Sequence, residues 1–275
     1  MSPTDQDEQD LTRKERREQA RTERRAAEEA HAASTARRRR LTQLGAVAGV
    51  VVVAIVVILV ATGGGGKSTG PTREKSKQQN TNSAAIQQLI GGIPQKGIVL
   101  GADSAPVTLV YFGDLECPVC KDFTDGALKT LIEKWVRPGK LRIEYRSLET
   151  ATREPEVFRT QQVAALAAGK QNKMWDYTEL FYKEQGEEGS GYVTEEYLHK
   201  LATGVPGLDI GQWSSARSDT ALSNELEEDA QAANQQGFSG TPSFLVGHTG
   251  GASKKFEPRS LTDAGDFNSA IEKLT

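Results

Sequence analysis

The only two cysteines in 275 residues lie three positions apart, within Gly113-Asp114-Leu115-Glu116-Cys117-Pro118-Val119-Cys120-Lys121-Asp122-Phe123. An apolar run, Val107 to Phe112, ends just before the pair, and a helix-period pattern begins just after it. A Cys-x-x-Cys pair at a strand-to-helix turn is the arrangement that thiol–disulfide exchange needs. The thiolate is the reactive species, and a free cysteine, with a pKa of about 8.5, is mostly protonated at neutral pH. Cys117 is expected at the N-terminus of a helix, where unpaired N–H groups and the helix dipole favour an anion. Pro118 suits the first turn, because its missing N–H would have had no partner there. Cys120, one turn further in, lies under Cys117 and can close a disulfide with it. These positions make Cys117 the exposed sulfur that attacks or is attacked, and Cys120 the buried partner that resolves a mixed disulfide.

Two other uses of the pair fit less well. Zinc would need further soft ligands, and those present are His31, His199 and His248. None has finger spacing to the pair, so neither a metal nor a cofactor is expected. A purely structural bridge across a two-residue gap would constrain little chain entropy. A second feature favours redox chemistry. In Gly240-Thr241-Pro242-Ser243-Phe244 a proline opens an apolar strand, where it is normally unwelcome. A cis Thr241–Pro242 peptide would leave the Thr241 backbone facing outward, free to pair with a bound peptide. Asp114 and Glu116 form an acidic pair beside the cysteines. Asp114, at a strand end, is the better candidate for a buried proton shuttle, and Glu116 is expected at the surface.

The elements around these residues can be read from periodicity. Ile98 to Leu100 and Val107 to Phe112 read as strands, the second apolar enough to be central in a sheet. A helix follows the cysteines through Val136 and stops at Pro138-Gly139; Leu141 to Arg146 then alternates as a strand does. This β-α-β order predicts a parallel pair. A helical stretch fills roughly 154–236, followed by strands at Ser243 to Val246 and Lys254 to Phe256. The last element is a helix over Thr262 to Leu274, capped by Thr262 or Asp263.

The N-terminal third does something else. Residues 1–40 carry 11 Lys/Arg and 9 Asp/Glu with almost no apolar stripe, and read as a polar, basic cytoplasmic tail. Leu41 to Thr62 is 22 residues without a charge, about 33 Å as a helix and so long enough to span the hydrocarbon core. Arg37 to Arg40 directly before it place the N-terminus in the cytoplasm. Residues 63–96 are expected to be a flexible extracytoplasmic linker. Gly66-Lys67-Ser68 within it imitates a phosphate loop, but follows no strand and opens no buried helix. Residues 97–275 then form the folded domain at the outer face of a cell membrane, where disulfides persist. Residues 63–275 are net acidic, with 23 Lys/Arg against 28 Asp/Glu, which argues against nucleic-acid binding.

In this order, Asp114-x-x-Cys117-Pro118-x-Cys120, Gln171-x-x-x-Trp175-x-x-x-x-x-Phe181 and Gly240-Thr241-Pro242 resemble the DsbA-like branch of the thioredoxin superfamily. The resemblance covers about Lys96 to Thr275. It implies an α/β thioredoxin-like fold with an inserted helical domain, a cis Pro242 beside the cysteines, and oxidation of dithiols in secreted proteins. It also implies two kinds of partner: the thiols of folding secreted proteins, and a membrane or soluble redox protein that re-oxidises the pair. The pattern departs from the family at Pro118-Val119, which lacks a histidine; Val119 offers the thiolate neither charge nor donor. A reductase or isomerase in the same compartment, or a non-catalytic binding module with the same fold, are the alternatives.

Overall fold

The computed structural model describes residues 71–275. The tail 1–40, the apolar stretch 41–62 and the Gly-rich segment before Pro71 lie outside them. Among the described residues no helix is long and apolar enough to cross a membrane. The chain opens with helix α1 (Pro71–Ile90) and two short strands, β1 (Gln95–Lys96) and β2 (Val99–Leu100). Strand β3 (Val107–Gly113) leads into α2 (Pro118–Asp125), then α3 (Ala127–Leu131), which a π-helical turn extends over Ile132–Val136. After β4 (Leu141–Ser147) come five helices: α4 (Pro155–Gly169), α5 (Met174–Glu184), α6 (Glu195–Gly204), α7 (Ile210–Ala216) and α8 (Thr220–Gln235). Strands β5 (Ser243–His248) and β6 (Ser253–Phe256) and helix α9 (Gly265–Glu272) close the chain.

All seven residues of β3 are buried, as a central strand covered on both faces requires. Its sheet runs β1-β2-β4-β3-β5-β6. β3 pairs in parallel with β4, Val107 opposite Leu141, and antiparallel with β5, Val107 opposite His248. Because side chains alternate across a strand, β3 supplies two layers. Val107, Leu109 and Tyr111 join the main core with Phe123, Leu128 and Phe267, while Val110 and Phe112 meet Ala233 and Phe238 on the other face. Burying each such Val, Leu or Phe is worth roughly 1.5–3 kcal/mol.

Three expectations are corrected. The flexible linker expected over 63–96 does not hold from Pro71 onward, because α1 and β1 are part of the fold. Ile86 and Ile90 are buried, and the polar face of α1 is bonded to the helical block. Ser83 Oγ donates to the Gly204 carbonyl at 2.7 Å, Gln79 Nε2 to that of Lys200 at 2.6 Å, and Asn82 Nδ2 to Glu184 Oε1 at 2.7 Å. The C-terminal helix also starts later than expected, at Gly265, with Ala264 at its N-cap. Asp263 Oδ1 still accepts from the Gly265 N–H at 2.8 Å.

The single helix expected after the cysteines is broken at Gly126. A Cβ there would stand 2.5 Å from Thr262 Cα, so only glycine lets the segment before α9 approach. Ala127 N–H donates to the Leu261 carbonyl at 3.1 Å across that contact.

Candidate functional site: a dithiol turn beside a cis-proline

Cys117 is the N-cap of α2, with extended φ and ψ of −70° and 118°, and Pro118 follows at N1. The turn that delivers it is closed by Cys117 N–H donating to the Asp114 carbonyl at 3.1 Å. Both cysteines are free thiols. Cys120 is fully buried; Cys117, expected to be exposed, is only 5% exposed, because the Thr241–Pro242 segment covers it. That peptide bond is cis, and the Cys117 thiol reaches the Thr241 carbonyl at 3.5 Å. Val119 stands outside at 42% exposure, the exposed large apolar side chain of the described residues.

The two sulfurs are pushed in opposite directions. A hydrogen bond from the Cys120 thiol is the largest influence on Cys117, and it lowers the Cys117 pKa against the cost of burial. Further bonds from Thr241 and from the backbone N–H groups of Cys120 and Val119 bring it to about 6. Burial, reinforced by Cys117, raises Cys120 well above the usual thiol range. One sulfur is therefore a thiolate at neutral pH, and the other a thiol.

Both members of the acidic pair are buried, Asp114 as expected and Glu116 against expectation. Asp114 is buried, but its carboxylate is consumed by structure. Oδ2 accepts from the N–H groups of Thr150, Ala151 and Thr152 at 3.0, 2.9 and 2.9 Å; Oδ1 accepts from Thr152 Oγ1 at 2.6 Å and Glu116 N–H at 3.1 Å. Asp114 is thus the clamp that holds the loop after β4 against the dithiol turn. Glu116, expected at the surface, is 4% exposed. Burial raises its pKa, and the neighbouring Asp114 charge adds to the rise, while bonds from Thr152 and the Gly189 N–H oppose it. The 186–192 loop of the helical block covers it, a long-range contact that no local pattern announces.

Other residues that sequence reasoning missed complete the site. Thr150 Oγ1 and Thr241 Oγ1 lie 2.5 Å apart, joining the loop after β4 to the cis-proline segment. Gln185 Nε2 donates to the carbonyls of Leu115 and Cys117 at 2.7 and 3.1 Å, and Lys121 Nζ to that of Tyr182 at 2.7 Å. Tyr111, from the middle of β3, places its hydroxyl 3.0 Å from that of Tyr182 and eases the rise of the Cys120 pKa. A hydroxyl inside an apolar strand was the one signal available for it.

The family model described as thioredoxin matches residues 94–261, more than half of the chain. A probable disulfide bond formation protein D of Bacillus anthracis is 26% identical over 154 residues, covering 54% of this chain and 68% of that protein. The Na(+)/H(+) antiporter NhaA 1 of Salinispora arenicola is 28% identical over 176 residues, which are 64% of this chain and 25% of the antiporter. Among solved structures, oxidised BdbD from Bacillus subtilis superposes with a TM-score of 0.56 at 22% identity. The match covers 68% of this chain and 97% of BdbD.

Proposed function

This chain belongs to the thioredoxin family and is a thiol–disulfide oxidoreductase, and on that premise we propose that it forms disulfide bonds in secreted or cell-envelope proteins through Cys117 and Cys120. The observation that carries the direction is the acidity of Cys117, lowered to about 6 at the head of α2. Stabilising a thiolate stabilises the reduced pair, and a couple whose reduced form is stabilised is an oxidant. Cys117 in the disulfide takes up the client sulfur, Cys120 leaves, and a second client thiol then displaces Cys117 to release an oxidised client. The Thr241 backbone, held beside Cys117 by the cis peptide, is placed to pair with the client chain. Exposed Val119 offers the client an apolar contact.

Disulfide formation requires an oxidising compartment, and the uncharged stretch 41–62 after Arg37 to Arg40 supports a single-pass anchor with its N-terminus in the cytoplasm. The folded unit then works at the outer face of the cell membrane. A membrane or soluble redox protein re-oxidises the pair there, and neither metal nor cofactor takes part. The deciding experiment is the reduction potential of Cys117–Cys120. A value near about −120 mV is expected; one near about −270 mV would make the chain a reductase.

A further inference from the structure

Three segments distant in sequence meet at Cys117, and a closed ring of hydrogen bonds joins them. Cys117 N–H donates to the Asp114 carbonyl at 3.1 Å, and Asp114 Oδ2 accepts from Thr150 N–H at 3.0 Å. Thr150 Oγ1 lies 2.5 Å from Thr241 Oγ1, and the Thr241 carbonyl accepts from the Cys117 thiol at 3.5 Å. The ring runs from the dithiol turn to the loop after β4, on to the cis-proline segment, and back to the sulfur.

One link of this ring fails during exchange. The thiol proton is absent from a Cys117 thiolate and from a disulfide alike, so neither can donate to the Thr241 carbonyl. The hydroxyl pair of Thr150 and Thr241 is the link that remains. A bond between two hydroxyls near solvent usually contributes little, because water replaces it and rotor freedom is lost. Here both backbones are fixed beforehand. Ala151 and Thr152 donate to Asp114 Oδ2 beside Thr150, and Leu148 N–H donates to the Gly113 carbonyl at 3.0 Å. Just beyond Thr241, Ser243 pairs with Phe112 across β5 and β3, and its hydroxyl donates to the Gly240 carbonyl at 2.7 Å. Both threonines are β-branched and have few rotamers to lose. The contact is thus a restraint of low entropic cost on the residue whose backbone meets the client.

We propose that Thr150 is a positioning residue for the client, its hydroxyl holding the Thr241 backbone in register with Cys117 in the states that lack the thiol proton. The inference rests on the disulfide-exchange reading above. A client thiolate attacks Cys117 Sγ; a client–Cys117 disulfide forms, the Cys117–Cys120 bond breaks, and Cys120 takes the electron pair. Through that step the Thr241 carbonyl, released by the thiol, is open to a client N–H, and Thr150 keeps it beside the sulfur. The second client thiol, deprotonated, attacks the client sulfur and expels Cys117 as a thiolate. Of the two protons the client dithiol loses, one ends on Cys120 and the other in solvent.

The test compares two reductants of the oxidised full-length chain. A dithiol peptide has a backbone that can pair with Thr241; dithiothreitol has no peptide group. Thr150→Val keeps the side-chain shape and the N–H that Asp114 accepts, and removes the hydroxyl. Thr150 is exposed, so the change leaves the core alone. It should slow reduction by the peptide about fivefold, the scale of one hydrogen bond, and leave reduction by dithiothreitol unchanged. Thr150→Ser, which retains the hydroxyl, should restore the peptide rate. A wild-type peptide rate in Thr150→Val overturns the proposal. Equal slowing with dithiothreitol does so too, because the effect would then lie on the disulfide itself. Thr150→Ser as slow as Thr150→Val would show that the hydroxyl is not what matters, and also overturns it. A wild-type chain whose disulfide the peptide cannot reduce instead defeats the underlying exchange reading, and this proposal with it.

Discussion

Cys117 and Cys120, the proposed redox pair, differ far more in surroundings than in position. The sulfurs share one helical turn, yet one is drawn to a pKa of about 6 and the other pushed well up. The causes are a thiol donor and loop hydrogen bonds for the first, and burial for the second. This asymmetry gives the reduced fold a pH dependence that the oxidised fold lacks. The folded pKa of Cys117 lies below its unfolded value of about 8.5, so its stabilising contribution is full above that value and is lost as pH falls through about 6. Above about 8.5 the raised pKa of Cys120 works against it. Paired thermal melts should therefore show the reduced form losing ground to the oxidised form between about pH 8.5 and pH 5. Parallel melting curves over that range would contradict the assignment. Cys120→Ala removes the largest cause of the low value, and should move the Cys117 alkylation midpoint upward.

At the level of elements, α5 carries an unusual residue. Glu179 is buried at 1% exposure, and neither carboxylate oxygen has a hydrogen-bond partner. Burial raises its pKa to about 8. A raised folded pKa means stability that is complete below about 4.3, the ordinary Glu value, and lost as pH rises through about 8. Glu179→Gln should therefore raise the melting temperature at pH 8 and change it much less at pH 5; equal shifts at both would refute the account. The elements also differ in how legible they were. β3, β4 and β5 could be read because their apolar residues follow strand patterns and their burial matches. α1 could not, because it docks through Gln79, Asn82 and Ser83, polar residues that look like linker until their partners in α5 and α6 are known. The dithiol turn and the proline at 242 were visible as motifs. The burial of Glu116 depends on the 186–192 loop, distant in sequence, and local spacing holds no trace of it.

For the whole molecule, the proposed anchor at 41–62 makes a prediction about sidedness. Protease added to intact cells should remove an epitope placed after Thr275 and spare one placed before Met1. Protection of both would place the dithiol on the reducing side of the membrane, where the oxidase reading fails. The described residues, 71–275, fall within one compact unit, in which the helical block and the dithiol turn are tied directly together. Gln185, at the end of α5, spans the carbonyls of Leu115 and Cys117, and Lys121 reaches back to Tyr182. The motif is consequently not portable. Transplanting Cys117-Pro118-Val119-Cys120 onto a bare sheet-and-helix scaffold would strip two carbonyls of their Gln185 donor and leave the proposed nucleophile on an untethered turn. A designer who wants this chemistry elsewhere must carry the end of α5 along with the cysteines.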